Sequence, residues 1–341
     1  SFADTAGTTA VNQVKYAYNG WGLLAREYQE HDGAVDGGTL FVEYIYADGA
    51  DAGIAKYVRL GQLVYPNGRE VHYDYGTTGA TDDIMSRLAT IGDGTNALAE
   101  YKYLGANRIV VEDYVEAGVD LDYGKKDGEY EALDRFGRVV DQIWGGGGID
   151  GYSYIYDRAG NRTVKLNQED ITFSEVYSYD GLDRLVAYQR SDAYEQNWTL
   201  DGLGNWLEFD DDGDSETRET NAANEITDIT DGGTDPAYDA AGNMTTLESG
   251  MTVVYDAWNR LARATRRVDA ETVIGTYHYL GNTWRATKRV THCGPEIVAN
   301  DGGDTIINFY YSQQWQILEM RNGSNQATHQ LVYGTQYVDE P

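Results

Sequence analysis

Residues 156–162 read YDRAGNR, and residues 179–185 read YDGLDRL. The same seven-residue pattern returns as LDRFGRV from Leu133, LDGLGNW from Leu200, TNAANEI from Thr220, YDAAGNM from Tyr238, YDAWNRL from Tyr255 and YLGNTWR from Tyr279. Successive starts lie 23, 23, 21, 20, 18, 17 and 24 residues apart, a period that belongs to a repeat architecture. With the Asp as position 0, an aromatic or Leu precedes it, Gly, Asn or Asp usually stands at position 3, Arg or another polar residue at position 4, and an apolar residue at position 5. Looser copies are YNGWGLL from Tyr18, YLGANRI from Tyr103 and YSQQWQI from Tyr311.

Each position has a physical reason. Many copies enter as Y-x-Y, for example Tyr154 and Tyr156 or Tyr177 and Tyr179; residues two apart on a strand share one face of a sheet. Asp157, Asp180, Asp239 and Asp256 can accept hydrogen bonds from amides two residues on and so nucleate a turn. Gly137, Gly160, Gly204 and Gly242, with Asp183 and Asn259, occupy the place where a positive φ is expected. Arg138, Arg184 and Arg260 then open the return strand, and are expected to bind carboxylates of the neighbouring copy as a ladder. Each unit is therefore a β-hairpin of about 20 residues. A lone hairpin cannot bury its aromatic face, so the hairpins stack edge to edge. The expected fold is all-β, a long sheet whose twist curls it into a spiral, hollow or groove-like form.

Composition agrees. There are 29 Tyr against 6 Phe, 40 Gly and 4 Pro, which suits thin, half-wet layers and many tight turns. Acidic residues number 56 against 26 basic, a net charge of −30, which argues against nucleic-acid binding. No apolar run approaches the roughly 18–20 residues of a membrane span. Cys293 is the only cysteine, so no internal disulfide forms. The opening SFADTAGTTA has no initiator Met or leader pattern, so the chain is expected to be a piece of a longer polypeptide. Residues 1–130 read as divergent copies with insertions, 131–290 as regular copies and 291–341 as terminal ones, all in one continuous repeat domain.

These residues resemble the YD-repeat, or Rhs, family: bacterial polymorphic toxins, shell subunits of insecticidal toxin complexes, and teneurins. YDGLDRL and YDAWNRL stand closest to its pattern. The resemblance implies a hollow β-shell, secreted or at the cell surface, that in the toxins encloses a C-terminal cargo. The partner it implies is the rest of the same polypeptide, cargo or C-terminal core. No D-P-x-G-x-x-R-like autoprotease segment is present, and HQLVYGTQYVDEP reads as the end of the repeat region. The implied role is structural rather than enzymatic. Glycan binding through Tyr and Trp rows, as in a surface adhesin, and fibre formation through edge strands are the alternatives.

One local motif invites a cation. In EFDDDGDSETRE, Glu208, Asp210, Asp212, Asp214, Glu216 and Glu219 fall at positions 1, 3, 5, 7, 9 and 12 of a calcium loop, with Gly213 at 6. The competing reading is a solvated acidic hairpin tip. His31, His72, His278, His292 and His329 are scattered without metal-ligand spacing, and His292 beside Cys293 points to the other face of a strand. The run Gly145–Gly148 lacks the Lys-Ser/Thr of a phosphate loop and reads as a hairpin tip.

Overall fold

A computed structural model describes residues 2–3, 9–47, 58–123, 132–230, 233–266, 273–291 and 305–334. His292, Cys293, residues 48–53 (DGADAG) and the last seven residues lie outside them. The chain divides into two compact units, residues 1–100 with 254–341, and residues 101–253. Strands dominate both; the one α-helix among the described residues is Thr81–Met85.

The expected hairpin is found copy after copy. The Asp180 amide donates to the Arg184 carbonyl (2.9 Å) and the Asp183 amide to the Asp180 carbonyl (3.1 Å). The same two bonds close the turns at Asp134, Asp157, Asp201, Asn221, Asp239 and Asp256. This is a type I turn followed by a left-handed residue, a three-residue hairpin loop with a bulge. The bulge shows in the register: Tyr156 pairs with Arg162, Tyr179 with Leu185 and Tyr238 with Met244, each time where the ladder shifts by one residue. Position 3 carries the positive φ in every regular copy, 77° at Gly137, 100° at Gly160, 59° at Asp183, 95° at Gly204, 82° at Gly242 and 58° at Asn259. The copy at Tyr103 departs: its positive φ is at Gly105, not at Asn107.

In the second unit, strands Arg108–Tyr114, Val119–Asp122, Asp141–Trp144, Asp150–Tyr156 and Arg162–Asn167 each pair antiparallel with the next. The series continues through Glu175–Tyr179, Leu185–Arg190, Glu195–Leu200, Trp206–Asp211, Asp214–Thr220 and Ile226–Ile229. The glycine run makes a 3-10 turn, Gly145–Gly147, joining two of these strands. Few side chains here are fully buried; most strand positions are half-exposed. Cross-strand pairs do the work a core would do. Tyr177, Tyr188 and Tyr194 form one row at 5.8 and 6.1 Å, and Trp198 stacks on Phe209 at 5.5 Å. Cations cover the rings: Arg162 over Tyr154, Lys165 over Tyr152, Arg218 over Trp206.

The first unit has two layers. Its N-terminal strands Ala10–Tyr18, Leu24–Glu30, Phe41–Tyr46, Leu60–Val64 and Glu70–Asp74 pair in chain order. Its C-terminal strands Val273–Tyr279, Arg285–Val290, Thr305–Tyr311, Ile317–Asn322 and Ala327–Gln330 do the same. Leu280, Trp284, Ala286, Phe309 and Tyr311 form a buried cluster, with Val14 of the N-terminal layer packed against it. Polar side chains of the first layer bond the main chain of the second. The buried Gln29 side chain donates to the Tyr311 carbonyl (2.8 Å) and accepts from its amide (3.1 Å), as a neighbouring strand would. Asn12 donates to the Tyr279 carbonyl, Tyr65 to the Leu331 carbonyl, and Tyr44 accepts from the Gln313 amide.

Candidate functional site

The repeat residues first brace their own turn, and then staple consecutive copies. Asp180 Oδ1 accepts from the amides of Leu182 (2.8 Å) and Arg184 (3.0 Å), and Oδ2 from Arg184 Nε (2.7 Å). Asp256 repeats this with Trp258 and Arg260. In Asp157 and Asp239 an Asn at position 4, Asn161 or Asn243, replaces the Arg. The Arg184 amide holds the Asp180 carboxyl below its ordinary value, with burial opposing and the Leu182 amide and the guanidinium assisting. The Asn243 side chain and amide do the same for Asp239.

The expected carboxylate ladder is corrected here. Arg138, Arg184 and Arg260 bind the Asp of their own copy, four residues back. What Arg138 and Arg184 reach in the next copy is a carbonyl: Nη1 of Arg184 lies 2.7 Å from the Asp201 oxygen, and that of Arg138 3.3 Å from the Asp157 oxygen. Four residues is the span of the turn itself, so the local partner is met before a remote one. The contact is returned by tyrosine. Tyr156 donates to the Val139 carbonyl (2.7 Å), Tyr179 to that of Arg162 (2.7 Å) and Tyr279 to that of Leu261 (2.8 Å), always position 5 of the preceding copy. The guanidinium of Arg138 lies over the Tyr156 ring and that of Arg260 over Tyr279. Hence Tyr, not Phe, before the Asp. Tyr279→Phe is expected to cost about 1 kcal/mol by chemical denaturation, while a Phe at the exposed Tyr18 costs nothing measurable.

The acidic segment lies on the hairpin of strands Trp206–Asp211 and Asp214–Thr220, with Asp212 (φ 55°) and Gly213 in the turn. Register and alternation put Glu208, Asp210 and Glu219 on one face and Asp214 and Glu216 on the other. Asp210 accepts from the Gly213 amide and the Ser215 hydroxyl, and Glu216 is paired with Arg218. Among the described residues no three His, Cys, Asp or Glu side chains converge as a metal ligand set. His31 is half-buried and stacked on Tyr310 at 4.6 Å.

The sequence reading missed a cavity of about 800 Å³ in the first unit. Tyr16, Tyr18, Tyr46, Trp284 and Trp315 wall it, and Glu27 lies at its base. Glu27 comes from the second strand of the first hairpin, Trp284 and Trp315 from two turns of the C-terminal layer. Glu27 has no exposed surface. Tyr16 is the hydroxyl turned toward it, yet neither carboxyl oxygen has a hydrogen-bond partner of good geometry among the described residues. Burial pushes its pKa up to about 7, the Tyr16 contact pulling the other way. Trp315 is 67% exposed and Trp284 8%; they meet edge to face at 6.0 Å.

No protein-family profile and no curated protein matches the sequence. Solved structures do match. The Photorhabdus luminescens Tc holotoxin pore aligns over 92% of this chain and 19% of its own, with TM-score 0.59 and 14% identity. The crystal structure of TcdB2–TccC3 aligns over 93% and 20%, with TM-score 0.59 and 14% identity. TcdB2–TccC3–TEV aligns over 96% and 20%, with TM-score 0.60 and 13% identity. The chain spans about a fifth of the length of these structures and shares the all-β fold of that stretch.

Proposed function

We propose that this chain is a stretch of wall in a YD-repeat shell, a non-enzymatic part of a larger secreted or cell-surface polypeptide that encloses or displays another segment. The observation that supports it best is the likeness in fold to the Tc toxin structures over nearly the whole chain, at a fifth of their length. The staple adds a reason the wall would hold: at several seams one hairpin is tied to the next through main-chain carbonyls, and at others through side-chain pairs such as Asn161 with Asp183. Among the described residues no helix is long and apolar enough to cross a membrane.

The test is limited proteolysis of the full-length polypeptide. A shell protects a segment outside the repeats, and that segment becomes sensitive when several staples are cut together (Arg138, Arg184 and Arg260 to Ala). Equal cleavage of the segment with and without the repeats attached ends the shell reading. A surface adhesin is the second reading. Trp21, Trp258 and Trp315 stand at hairpin turns more than 60% exposed, which suits stacking on sugar rings. A defined glycan bound on an array, and lost with those three replaced by Ala, would favour it.

A further inference from the structure

The cavity in the first unit breaks the rules that the rest of the chain follows. In the copy at Tyr279 the turn residues are Leu280 in place of Asp, Thr283 at position 3 and Trp284 in place of Arg. In the copy at Tyr311 they are Ser312, Trp315 and Gln316. Thr283 sits at φ 75° and Trp315 at φ 71°, where the regular copies place Gly, Asn or Asp. A β-branched or bulky residue held there is strained, and strain of this kind concentrates at functional sites. Both turns open on the same cavity, which strands Ala10–Tyr18 and Leu24–Glu30 close from the other layer.

What is missing there is a cation. Elsewhere the sheet sets arginine or lysine over a Tyr or Trp face and pairs arginine with a carboxylate, often with one side chain: Arg138 and Arg260 do both. In the cavity the two halves of that arrangement are present. Among the described residues no Lys or Arg covers Tyr16, Tyr18, Tyr46, Trp284 or Trp315, none pairs with Glu27, and none lines the space. Trp284 Nε1 is a buried donor without an acceptor at the same place, and the Asn282 side chain turns to the Tyr16 hydroxyl. A chain of net charge −30 also draws cations toward it.

We infer that this cavity binds an arginine or lysine side chain presented by another polypeptide segment, its charge set toward Glu27 and among the aromatic faces. This holds whether or not the chain forms a shell, since the cavity needs no enclosed cargo.

Isothermal titration calorimetry on the chain tests it. The probes are N-acetyl-arginine methylamide, its neutral citrulline counterpart, choline, and glucose. The arginine probe is expected to bind at least about tenfold more tightly than the citrulline probe, and Glu27→Gln to remove that preference. Trp315→Gly separates binding from folding. It relieves the left-handed strain and removes a largely exposed ring, so the fold is expected to hold, yet affinity falls about five- to thirtyfold. Equal binding of arginine and citrulline, or unchanged affinity in Trp315→Gly, overturns the assignment. Choline binding as tightly as the arginine probe would reassign the site to free ammonium compounds, and glucose binding more tightly than it would make it a sugar site.

Discussion

Arg59→Met is expected to lower the stability of the chain by about 3–5 kcal/mol. The Arg59 and Asp83 side chains are 5% and 1% exposed and meet at 2.7 Å. The guanidinium also donates to the Asp83 carbonyl (2.7 Å) and the Ser86 hydroxyl (2.8 Å), and lies 4.4 Å from the Tyr75 ring centre. Asp83 takes the Gly79 amide on its other oxygen, which fixes the short helix Thr81–Met85 against the sheet. Methionine keeps most of the apolar stem and removes the charge, so the buried carboxylate loses the guanidinium that it pairs with. Burying a lone charge costs far more than a well-formed pair returns. Denaturant midpoints of the parent, Arg59→Met, Asp83→Leu and the double variant measure it. The double variant is expected to recover a good part of the loss, and a single loss under about 1 kcal/mol would mean that water reaches the pair.

Glu27→Gln is expected to work in the opposite direction, and only at higher pH. In the folded chain Glu27 loses its proton near pH 7, and in the unfolded chain near its ordinary 4.5. Between these values the folded state holds more protons, so stability falls as pH rises through that window. The full difference, reached above about pH 8, is about 3 kcal/mol. Tyr16 and Tyr44, the hydroxyls whose own pKa values Glu27 helps to raise, stay protonated throughout. Gln cannot ionise, so the variant is expected to match the parent near pH 4 and to exceed it by about 3 kcal/mol near pH 8.5. Equal pH profiles would show a solvated carboxylate. His31 acts at the acid side: burial lowers its pKa to about 4. Unfolded His binds its proton from about pH 6.5 downward, so this residue's contribution is lost as pH falls toward 4.

The hairpin was legible because its information is local. An Asp, a Gly or Asn three residues on and an Arg or Asn after it specify a turn through contacts spanning five residues, and they recur often enough to be read by eye. The direction of the arginine was misread for a related reason: sequence spacing shows that a neighbour exists but not which of its atoms faces the seam. The cavity was hidden by distance, since Glu27 and Trp315 are brought together by the layering of hairpins far apart in the chain. Even so, one signal lay in plain view. YSQQWQI puts Trp at the position where the regular copies carry Gly, Asn or Asp, a substitution that local turn chemistry resists. Glu208, Asp210, Asp212, Asp214 and Glu219 show what a linear pattern leaves open: the turn at Asp212 and Gly213 puts Glu208, Asp210 and Glu219 on one face of the hairpin and Asp214 on the other.

The staple has an evolutionary corollary. Where Arg or Tyr makes the seam, the acceptors are peptide oxygens, which any amino acid supplies, so such a seam depends little on which two copies meet. Tandem duplication or loss of a whole copy by unequal recombination would therefore create a sound junction in a single event, with no matching change required in the flanking copies. Lineages of such a gene can vary the length of the wall far more readily than they can vary the cavity, whose parts must change in concert.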